Sequence, residues 1–315
     1  MFEAVKTMIA KTIVRDIFKG QIEQMLLRIP SLRKAVLFVL STKPIDEFSE
    51  QCEVDFLLKK YKQESGSDFS CIDIGAAPPP NYYEICLKYT NYVYCVEPAL
   101  DKHNNPYASY ISKLISYAKK GKVTLFKGVI SEKSGNVTFY QGKGNTSNSS
   151  LNPDYRIESI SDRQSYLNSF ERITVESKTY QEYFTDNAIK NLLFAKIDVE
   201  GAEGKILATM DKSNAPKILL LEVAYDTTNL KEEIRRLICD ENVFQESLFI
   251  VRKLENHNFD VLGEFRFNEH LDFLADKSDS IHGSLILAQA GIIQKKEILD
   301  LRRKIYSNIT VLDNI

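Results

Sequence analysis

The chain has 315 residues, with 41 Lys and Arg against 43 Asp and Glu, and 43% of its residues are apolar. The 13 Gly and nine Pro are too few for a fibrous or disordered chain, and a net charge of −2 gives no overall attraction to nucleic acid. No run approaches the roughly 18 apolar residues that cross a bilayer, and the N-terminus lacks the charged-then-apolar order of a signal peptide. We therefore expect a cytoplasmic protein without a transmembrane segment.

The first 66 residues predict a helical N-terminal extension. Val5, Ile9 and Ile13 keep the spacing of one helix face. Residues 1–40 contain seven Lys and Arg against three Asp and Glu, so one interpretation is a helix lying on an anionic membrane surface. The other is a helix that packs on the main domain or joins two subunits into a homodimer. Acidic residues interrupt the basic face, which favours packing.

From residue 67 to residue 315 the pattern predicts a single α/β domain. Short strand-like runs occupy residues 69–75, 92–97, 123–128, 192–199, 217–223, 259–267 and 284–288. Helical spacing occupies residues 82–89, 107–119, 205–210, 230–239 and 243–256. Strands that alternate with helices predict a doubly wound, mainly parallel sheet. The last two strand-like runs have no clear helix between them, which predicts a hairpin with an antiparallel edge strand.

A second hairpin is predicted next to this sheet. Residues 136–140 and 172–175 alternate between apolar and polar side chains, as strands do. The polar residues 141–170 between them form a long loop, which either covers the active site or is a plain surface insertion.

The five cysteines contain no Cys-x-x-Cys pair. Cys71 and Cys95 lie inside strand-like runs. We therefore expect reduced, buried thiols rather than disulfides or zinc ligands.

The first two strands end in residues that favour a nucleoside site. In an open α/β sheet, ligands bind beyond the carboxyl ends of the strands. The first strand ends in Asp73, Ile74, Gly75 and Ala76, and the second ends in Glu97 and Pro98. Glu97 lies 24 residues after Asp73, close to the roughly 20-residue spacing at which an acid meets ribose hydroxyls.

The residues after Gly75 indicate which type of nucleoside cofactor the site would bind. A dinucleotide site has three glycines, whose backbone N–H groups meet the pyrophosphate. Here Ala76, Ala77 and three prolines follow, so further glycines are missing and three N–H donors are lost. An acid just before the glycine would repel phosphate, but it suits a cation such as a sulfonium. The segment therefore favours S-adenosylmethionine over NAD.

The fourth and fifth strands carry further candidate residues. Lys196, Asp198 and Glu200 alternate, so they share one face while the strand lasts. Glu222 lies on the fifth strand, and neighbouring strands bring Asp198 and Glu222 together. The alternative interpretation is an ion-pair network with Lys196 that orders the strand ends.

These residues suggest a catalytic base. A hydroxyl that accepts a methyl group must lose its proton, and a carboxylate or a histidine can remove it. Asp198 is the first candidate, Glu200 the second and His282, just before the last strand, the third. Asp198 and Glu222 are hard ligands that suit Mg²⁺, but without a third ligand we assign no metal.

Four segments together, IDIGA, CVEP, KIDVEGAE and LLLEV, resemble the FkbM-type methyltransferases. These are S-adenosylmethionine-dependent enzymes with the Rossmann-like, seven-stranded class I fold. The segments GVISEKSGNVTFY and ITVESKTYQEYF fit the hairpin of that family and the stretch leading to its fourth strand. The resemblance covers about residues 69–225, with weaker agreement to residue 289.

The resemblance implies a role for each matching residue. Asp73, Gly75 and Ala76 would lie by the methionine part of the cofactor, and Glu97 with Pro98 would hold the ribose. The positions that would lie near the adenine are Val129, Ile130 and Ser131. Asp198 and Glu200 would face both the cofactor and the acceptor, which in this family is commonly a hydroxyl of a sugar, a glycan or a related natural product.

The chain departs from the family at residues 77–80. Family members usually continue Gly-Ala with Asn, any residue and Gly, whereas this chain has Ala77, Pro78 and Pro79. Proline cannot adopt the positive φ that is available to that glycine, so the loop must follow a different path. Two alternatives to a methyltransferase follow: a catalytically silent nucleoside-binding module and an NAD-dependent oxidoreductase with an unusual loop.

Overall fold

The structure is a computed structural model that describes residues 45–76, 81–100, 107–143, 149–153, 163–224, 228–253, 281–293, 296–298 and 300–301. Three sequence predictions lie outside these residues: the helix over residues 1–44, the altered path of residues 77–80 and the strand over residues 259–267. The dimer predicted to form through the N-terminal helices therefore stays a prediction.

The described residues alternate between strands and helices, as the sequence predicts. The helices are α1 (Ile45–Ser65), α2 (Tyr82–Cys86), α3 (Ala108–Lys119), α4 (Arg163–Asn168), α5 (Tyr180–Asp186), α6 (Glu203–Leu207) and α7 (Thr228–Arg235), and the π-helical turn Arg236–Asp240 follows α7. The strands are β1 (Ser70–Ile74), β2 (Tyr92–Val96), β3 (Thr124–Phe126), β4 (Val129–Ile130), β5 (Gly135–Gly142), β6 (Phe170–Lys178), β7 (Leu192–Ile197), β8 (Ile218–Ala224), β9 (Glu246–Lys253) and β10 (Ile281–Ala288).

Seven of these strands form one sheet, in the order β3-β2-β1-β7-β8-β10-β9. The pairs from β3 to β8 are parallel, whereas β10 runs antiparallel to both of its neighbours. The predicted doubly wound α/β fold is confirmed, and its antiparallel strand lies one place in from the edge rather than at the edge itself.

The edge strand β9 corrects the prediction of a helix over residues 243–256. β9 pairs with β10 along its whole length, from Glu246 opposite Ala288 to Lys253 opposite Ile281. The run Leu248–Val251 is apolar at consecutive positions, a pattern that fits a strand or a buried helix equally well. Pairing with β10 decides for the strand, because it satisfies the backbone N–H and C=O groups of β9 on that side.

Two apolar clusters pack against the large sheet. All residues of β1 and β7 are buried, so charged side chains on these strands lie in the interior. Alternation divides β1 between the clusters: Ile72 contributes to one and Cys71 to the other. Burial on both sides is typical of central parallel strands.

Contacts divide the chain into two compact units, residues 1–50 and 51–315. The described part of the first unit is the beginning of α1. In the second unit Val54, Leu57 and Leu58 of α1 are buried in the core, although the predicted N-terminal extension runs to residue 66.

All five cysteines are free, and Cys71 and Cys95 are buried as predicted. In the part of the chain that the structure describes, no helix combines the length and the apolar content needed to cross a bilayer.

The second predicted hairpin is confirmed. β5 and β6 pair antiparallel from Gly135 opposite Ser177 to Gly142 opposite Phe170, and β4 adds a parallel strand on the other side of β6. Within the intervening polar loop, Ser150 forms a β-bridge with Tyr140. The role of this loop as a cover over the active site stays a prediction.

Candidate active site

Four strands of the large sheet end side by side. Since β2, β1, β7 and β8 are neighbours and parallel, their carboxyl ends meet at one edge, where α/β sheets bind ligands. Asp73 lies in β1, Glu97 directly follows β2, Asp198 directly follows β7, and Glu222 lies in β8. The structure thus places the predicted acids at or beside a single edge.

Gly75 makes the tight turn at the end of β1. Its φ is +79°, and its N–H and that of Ala76 both donate to the carbonyl of Val96 in β2, at 3.0 and 3.2 Å. On the other side the N–H of Asp198 donates to the carbonyl of Ile74, at 3.2 Å. A Cβ atom at Gly75 would lie 1.9 Å from the carbonyl oxygen of Asp198, so only glycine fits this close approach.

Asp73 is completely buried, and its two carboxylate oxygens have different surroundings. Oδ2 accepts a hydrogen bond of 2.8 Å from the N–H of Tyr83 and so fixes the chain that follows the proline segment. Oδ1 is buried without a hydrogen-bond partner among the described residues. Burial raises the pKa of Asp73 to about 6, although Lys196 opposes this shift. A buried acceptor of this kind fits a ligand that brings an N–H donor, such as an amino group.

Glu97 is buried just past β2. Its Oε1 atom accepts a hydrogen bond of 2.7 Å from the N–H of Ala99, and its own N–H donates to Phe126 of β3, at 3.1 Å. The carboxylate therefore also orders the turn around the half-buried Pro98.

The positions predicted to lie near adenine come next to this turn. Val129 packs in a small apolar cluster with Ala99, and Ile130 is buried in the same cluster as Ile72. The N–H of Ser131 donates to Lys178 of β6, at 2.9 Å. Val129 and Ile130 thus form a strand of the small sheet, which Ser131 follows, and the contact of these three residues with a nucleoside stays a prediction.

Lys196 is the buried cation of the site. Its Nζ atom donates to the Gly75 carbonyl at 2.8 Å, and lies 3.0 Å from Asp198 Oδ2 and 3.9 Å from Asp73 Oδ1. Burial lowers the pKa of Lys196, but Asp198, Asp73 and Glu222 together raise it above its ordinary value. The ammonium therefore stays charged, and it links the turn after β1 to the segment after β7.

Carboxylates of Asp198, Glu200 and Glu222 converge beside this cation. One oxygen from each lies within 4.8 Å of the other two. Burial and the Glu222 carboxylate raise the pKa of Asp198 to about 7, against the lowering effect of Lys196. Burial and Glu222 also raise the pKa of Glu200. Close carboxylates favour sharing a proton over carrying full charge, so the cluster can accept a proton near neutral pH.

The three carboxylates of this cluster could also hold a metal ion. Glu200 supplies the third carboxylate that the sequence argument lacked, and three carboxylate oxygens suit a hard cation such as Mg²⁺. The Lys196 ammonium already provides a positive charge 3.0 Å from Asp198. We assign no metal to the cluster.

An unusual backbone brings Glu200 into the cluster. Glu200 has a φ of +57° and is followed by Gly201 at +92°. The buried Glu203 carboxylate accepts hydrogen bonds from the N–H groups of Val199, at 3.0 Å, and of Gly201, at 3.1 Å. The Ser150 hydroxyl donates to the Glu200 carbonyl, at 2.6 Å. Contacts from both sides thus hold a left-handed conformation that costs a non-glycine residue about 1–2 kcal/mol.

His282 is the candidate that the structure leaves open. In the backbone register it lies opposite Ala224, two residues beyond the pair of Ser284 and Glu222. Its side chain lies outside the described part, so its role as a base stays a prediction.

Three residues of the site are not among the candidates that the sequence predicts. The sequence predicts Lys196 only as an ion-pair partner, and it does not single out Glu203 or Ser150. A lysine inside an otherwise apolar strand was an available signal, since a buried Lys requires charged partners. The contact of Ser150 with Glu200 spans 50 positions, and no local pattern indicates it.

Comparison with solved structures gives low similarity. Precorrin-6y C5,15-methyltransferase from Geobacter metallireducens GS-15 is 11% identical, with a TM-score of 0.31 over 71% of this chain and 81% of that chain. Magnesium protoporphyrin IX methyltransferase from Synechocystis PCC 6803, solved with bound SAM, is 13% identical, with a TM-score of 0.32 over 89% and 97%. No curated protein matches the sequence significantly.

The family comparison is specific. The family model described as the methyltransferase FkbM domain matches residues 73–274, more than half of the chain. The matched region begins at Asp73 and includes Glu97, Asp198, Glu200 and Glu222. With the strand order described above, this match shows that the chain belongs to the FkbM methyltransferases and is an S-adenosylmethionine-dependent enzyme.

Proposed function

We propose that this enzyme transfers a methyl group to a hydroxyl oxygen of a sugar, a glycan or a related natural product. The observation that carries the proposal is the Asp198 carboxylate: its Oδ2 atom lies 3.0 Å from the Lys196 ammonium, which also binds the Gly75 carbonyl, and burial raises its pKa to about 7. A neutral hydroxyl is a weak nucleophile until its proton is removed. A base with a pKa near the working pH removes that proton most effectively.

Cofactor binding is proposed for the residues at the ends of β1 and β2. When bound, S-adenosylmethionine supplies an electrophilic methyl group together with its leaving group. Asp73 Oδ1, which has no hydrogen-bond partner among the described residues, would accept from an amino group, and Glu97 would accept from ribose hydroxyls. Gly75 and Ala76 form the turn between these two acids, and Val129 would lie beside the adenine.

The acceptor is proposed to bind over the carboxylates of Asp198, Glu200 and Glu222. Asp198 removes the hydroxyl proton, and the other two carboxylates orient the acceptor by accepting hydrogen bonds from its neighbouring hydroxyls. Several carboxylates in one small site favour a polyhydroxylated acceptor over nucleic acid, because phosphates would be repelled.

We propose that the reaction takes place in the cytoplasm. Five free cysteines, three of them buried, support a reducing compartment, since oxidising compartments favour disulfides.

The first experiment establishes ligand binding. Titration with S-adenosylmethionine, S-adenosylhomocysteine and NAD in a thermal-shift assay should raise the melting temperature only with the first two, because ligands that bind the native state stabilise it. A response to none would support the silent binding module, and a response to NAD alone would support the oxidoreductase.

The second experiment tests the base. Transfer of a labelled methyl group to a panel of methyl glycosides identifies an acceptor, and Asp198→Asn should then lower turnover about 10²–10⁴-fold. S-adenosylhomocysteine should still bind this variant. Asp186→Asn, at an ion pair with Lys178 on the surface, is the matched control and should keep full turnover. Unchanged turnover in Asp198→Asn would remove Asp198 from the mechanism.

A further inference from the structure

Lys196 occupies a position between the cofactor side and the acceptor side of the site. Only 4% of its side chain is exposed, so its charge depends on protein partners rather than on water. On one side it donates to the carbonyl of Gly75, in the turn that ends β1 and that we propose to contact the cofactor. On the other side it pairs with the proposed base, Asp198.

The main chains around Lys196 also join the ends of β1 and β7. The Asp198 N–H donates to Ile74, and the Asp198 carbonyl lies against Gly75 so closely that no Cβ atom fits between them. The ends of β1 and β7 therefore touch through their main chains and are joined a second time through the Lys196 ammonium. A displacement of one end will move the other.

We propose that Lys196 is a positioning residue for methyl transfer: its ammonium fixes the Gly75 turn for the cofactor and keeps Asp198 as a carboxylate for the acceptor. This inference rests on the proposed role of Asp198 as the base. Lys196 itself touches neither substrate in the proposal, and it acts through Gly75 and Asp198.

Other charged and titratable groups around Lys196 determine how the pKa of Asp198 would change if the ammonium were removed. Lys196 interacts with Asp73 of β1, with Glu222 of β8 and with Asp198 after β7, and the ring centroid of Tyr82 in α2 lies 6.0 Å from Nζ. Two further carboxylates adjoin these groups: Glu200 interacts with Glu222, and Glu203 interacts with Asp198. Asp198 raises the pKa of Asp73, and Glu222 raises the pKa of Asp198, whereas Lys196 lowers the pKa of both Asp73 and Asp198. Without the ammonium, Asp198 will keep its proton to higher pH.

The alternative is that Lys196 only stabilises the strand ends. A purely structural role would lower the melting temperature of a variant without changing where Asp198 titrates. The two roles therefore differ in a quantity that can be measured at a single carboxyl group.

The test compares Lys196→Met with Lys205→Met. Methionine removes the charge and keeps an unbranched side chain that is only one atom shorter. Lys205 pairs with Glu132, with 37% of its side chain exposed, and serves as the matched control. The titration of Asp198 is followed between pH 5 and 9 by the ¹³C chemical shift of its carboxyl carbon in labelled protein. The signal is assigned by its loss in Asp198→Asn, and a chelator keeps metal ions away from the carboxylates. Binding of S-adenosylhomocysteine is measured by calorimetry. Its sulfur is neutral, so its affinity depends on the position of the Gly75 turn rather than on attraction between the site and a sulfonium charge.

In Lys196→Met the pKa of Asp198 should rise by at least about one unit, so the ionised fraction well below that pKa falls about tenfold. S-adenosylhomocysteine should bind about tenfold more weakly, because the charged hydrogen bond from Lys196 to the Gly75 carbonyl no longer holds the turn in place. Lys205→Met should change neither quantity. An Asp198 titration that matches the wild type, or unchanged binding of S-adenosylhomocysteine, would overturn the inference.

A second variant covers the case in which Lys196→Met does not fold. Lys196→Gln keeps a hydrogen-bond donor and removes the charge, so it should raise the pKa of Asp198 in the same direction, and an unshifted titration would overturn the inference. The proposed function fails separately, if Asp198→Asn keeps its turnover. Neither Lys196 measurement requires an acceptor, so the two failures are distinguishable.

Discussion

Replacing Gly75 by alanine should separate the two strand ends that form the site. Gly75 lies between the Val96 carbonyl, to which it donates, and the Asp198 carbonyl, against which it packs. The new methyl group would point at the backbone of Asp198, which cannot rotate away as a side chain can.

The structure sets the size of this effect. The added Cβ atom would lie 1.9 Å from the Asp198 oxygen, and ordinary contact begins at 3.4 Å, so the strand ends must move apart by about 1.5 Å. The positive φ adds about 1–2 kcal/mol, and overpacking in a tight site adds about 1–3 kcal/mol. A shift of this size in aligned reacting groups lowers catalytic rates about a hundredfold.

Gly121→Ala separates the two contributions. Gly121 has a φ of +65°, and no atom lies within 4 Å of an added Cβ, so this variant has the backbone cost without the clash. Calorimetric unfolding and S-adenosylhomocysteine binding are measured for both variants. Gly75→Ala should melt below Gly121→Ala and bind at least about tenfold more weakly, whereas Gly121→Ala should bind like the wild type.

The reasoning would be refuted by equal melting temperatures in the two variants together with wild-type binding by Gly75→Ala. That result would mean that β1 and β7 can separate without cost, and that the close approach at Gly75 has no part in cofactor binding.

Two further predictions concern buried carboxylates. Burial raises the pKa of Glu203 from 4.5 to about 7, so the folded state holds this proton more tightly than the unfolded state does. The free energy of unfolding therefore falls by up to about 3 kcal/mol as the pH rises from 4.5 to 7. Glu203→Gln should therefore show a smaller loss of melting temperature between pH 5 and 7.5 than the wild type, and an identical profile would contradict the assignment. Glu97→Ala should weaken S-adenosylhomocysteine binding about tenfold or more, through lost hydrogen bonds to a charged acceptor. Glu84→Gln, at a partly exposed ion pair with Lys113, is its control, and equal affinities in the two variants would exclude Glu97 from the cofactor site.

Much of the fold follows from local sequence patterns. β1, β7 and β8 are short apolar runs between helical segments, and the parallel order places their acids together once the sheet forms. β9 was missed because an apolar run of four residues has no period that distinguishes a strand from a helix. Its partner β10 lies 28 residues further along the chain, so only the tertiary structure identifies it.

The sequence predicts those residues of the site that lie at the ends of strands. Asp73, Glu97 and Asp198 were found because each marks the point where an apolar run stops. Glu200 was expected to share a face with Asp198 through strand alternation, but β7 ends at Ile197. A left-handed turn, which sequence alternation cannot predict, brings Glu200 to the cluster.

The hydroxyl of Ser150 ties the loop between β5 and β6 to the main chain of Glu200. This loop is thus not an independent module that could be exchanged to redirect the enzyme toward new acceptors. A transplanted loop without a donor at this position would leave the Glu200 carbonyl short of a bond and free the left-handed turn to relax, so altered selectivity would come with a slower enzyme. Engineering of the acceptor range should therefore begin from grafts that retain the serine.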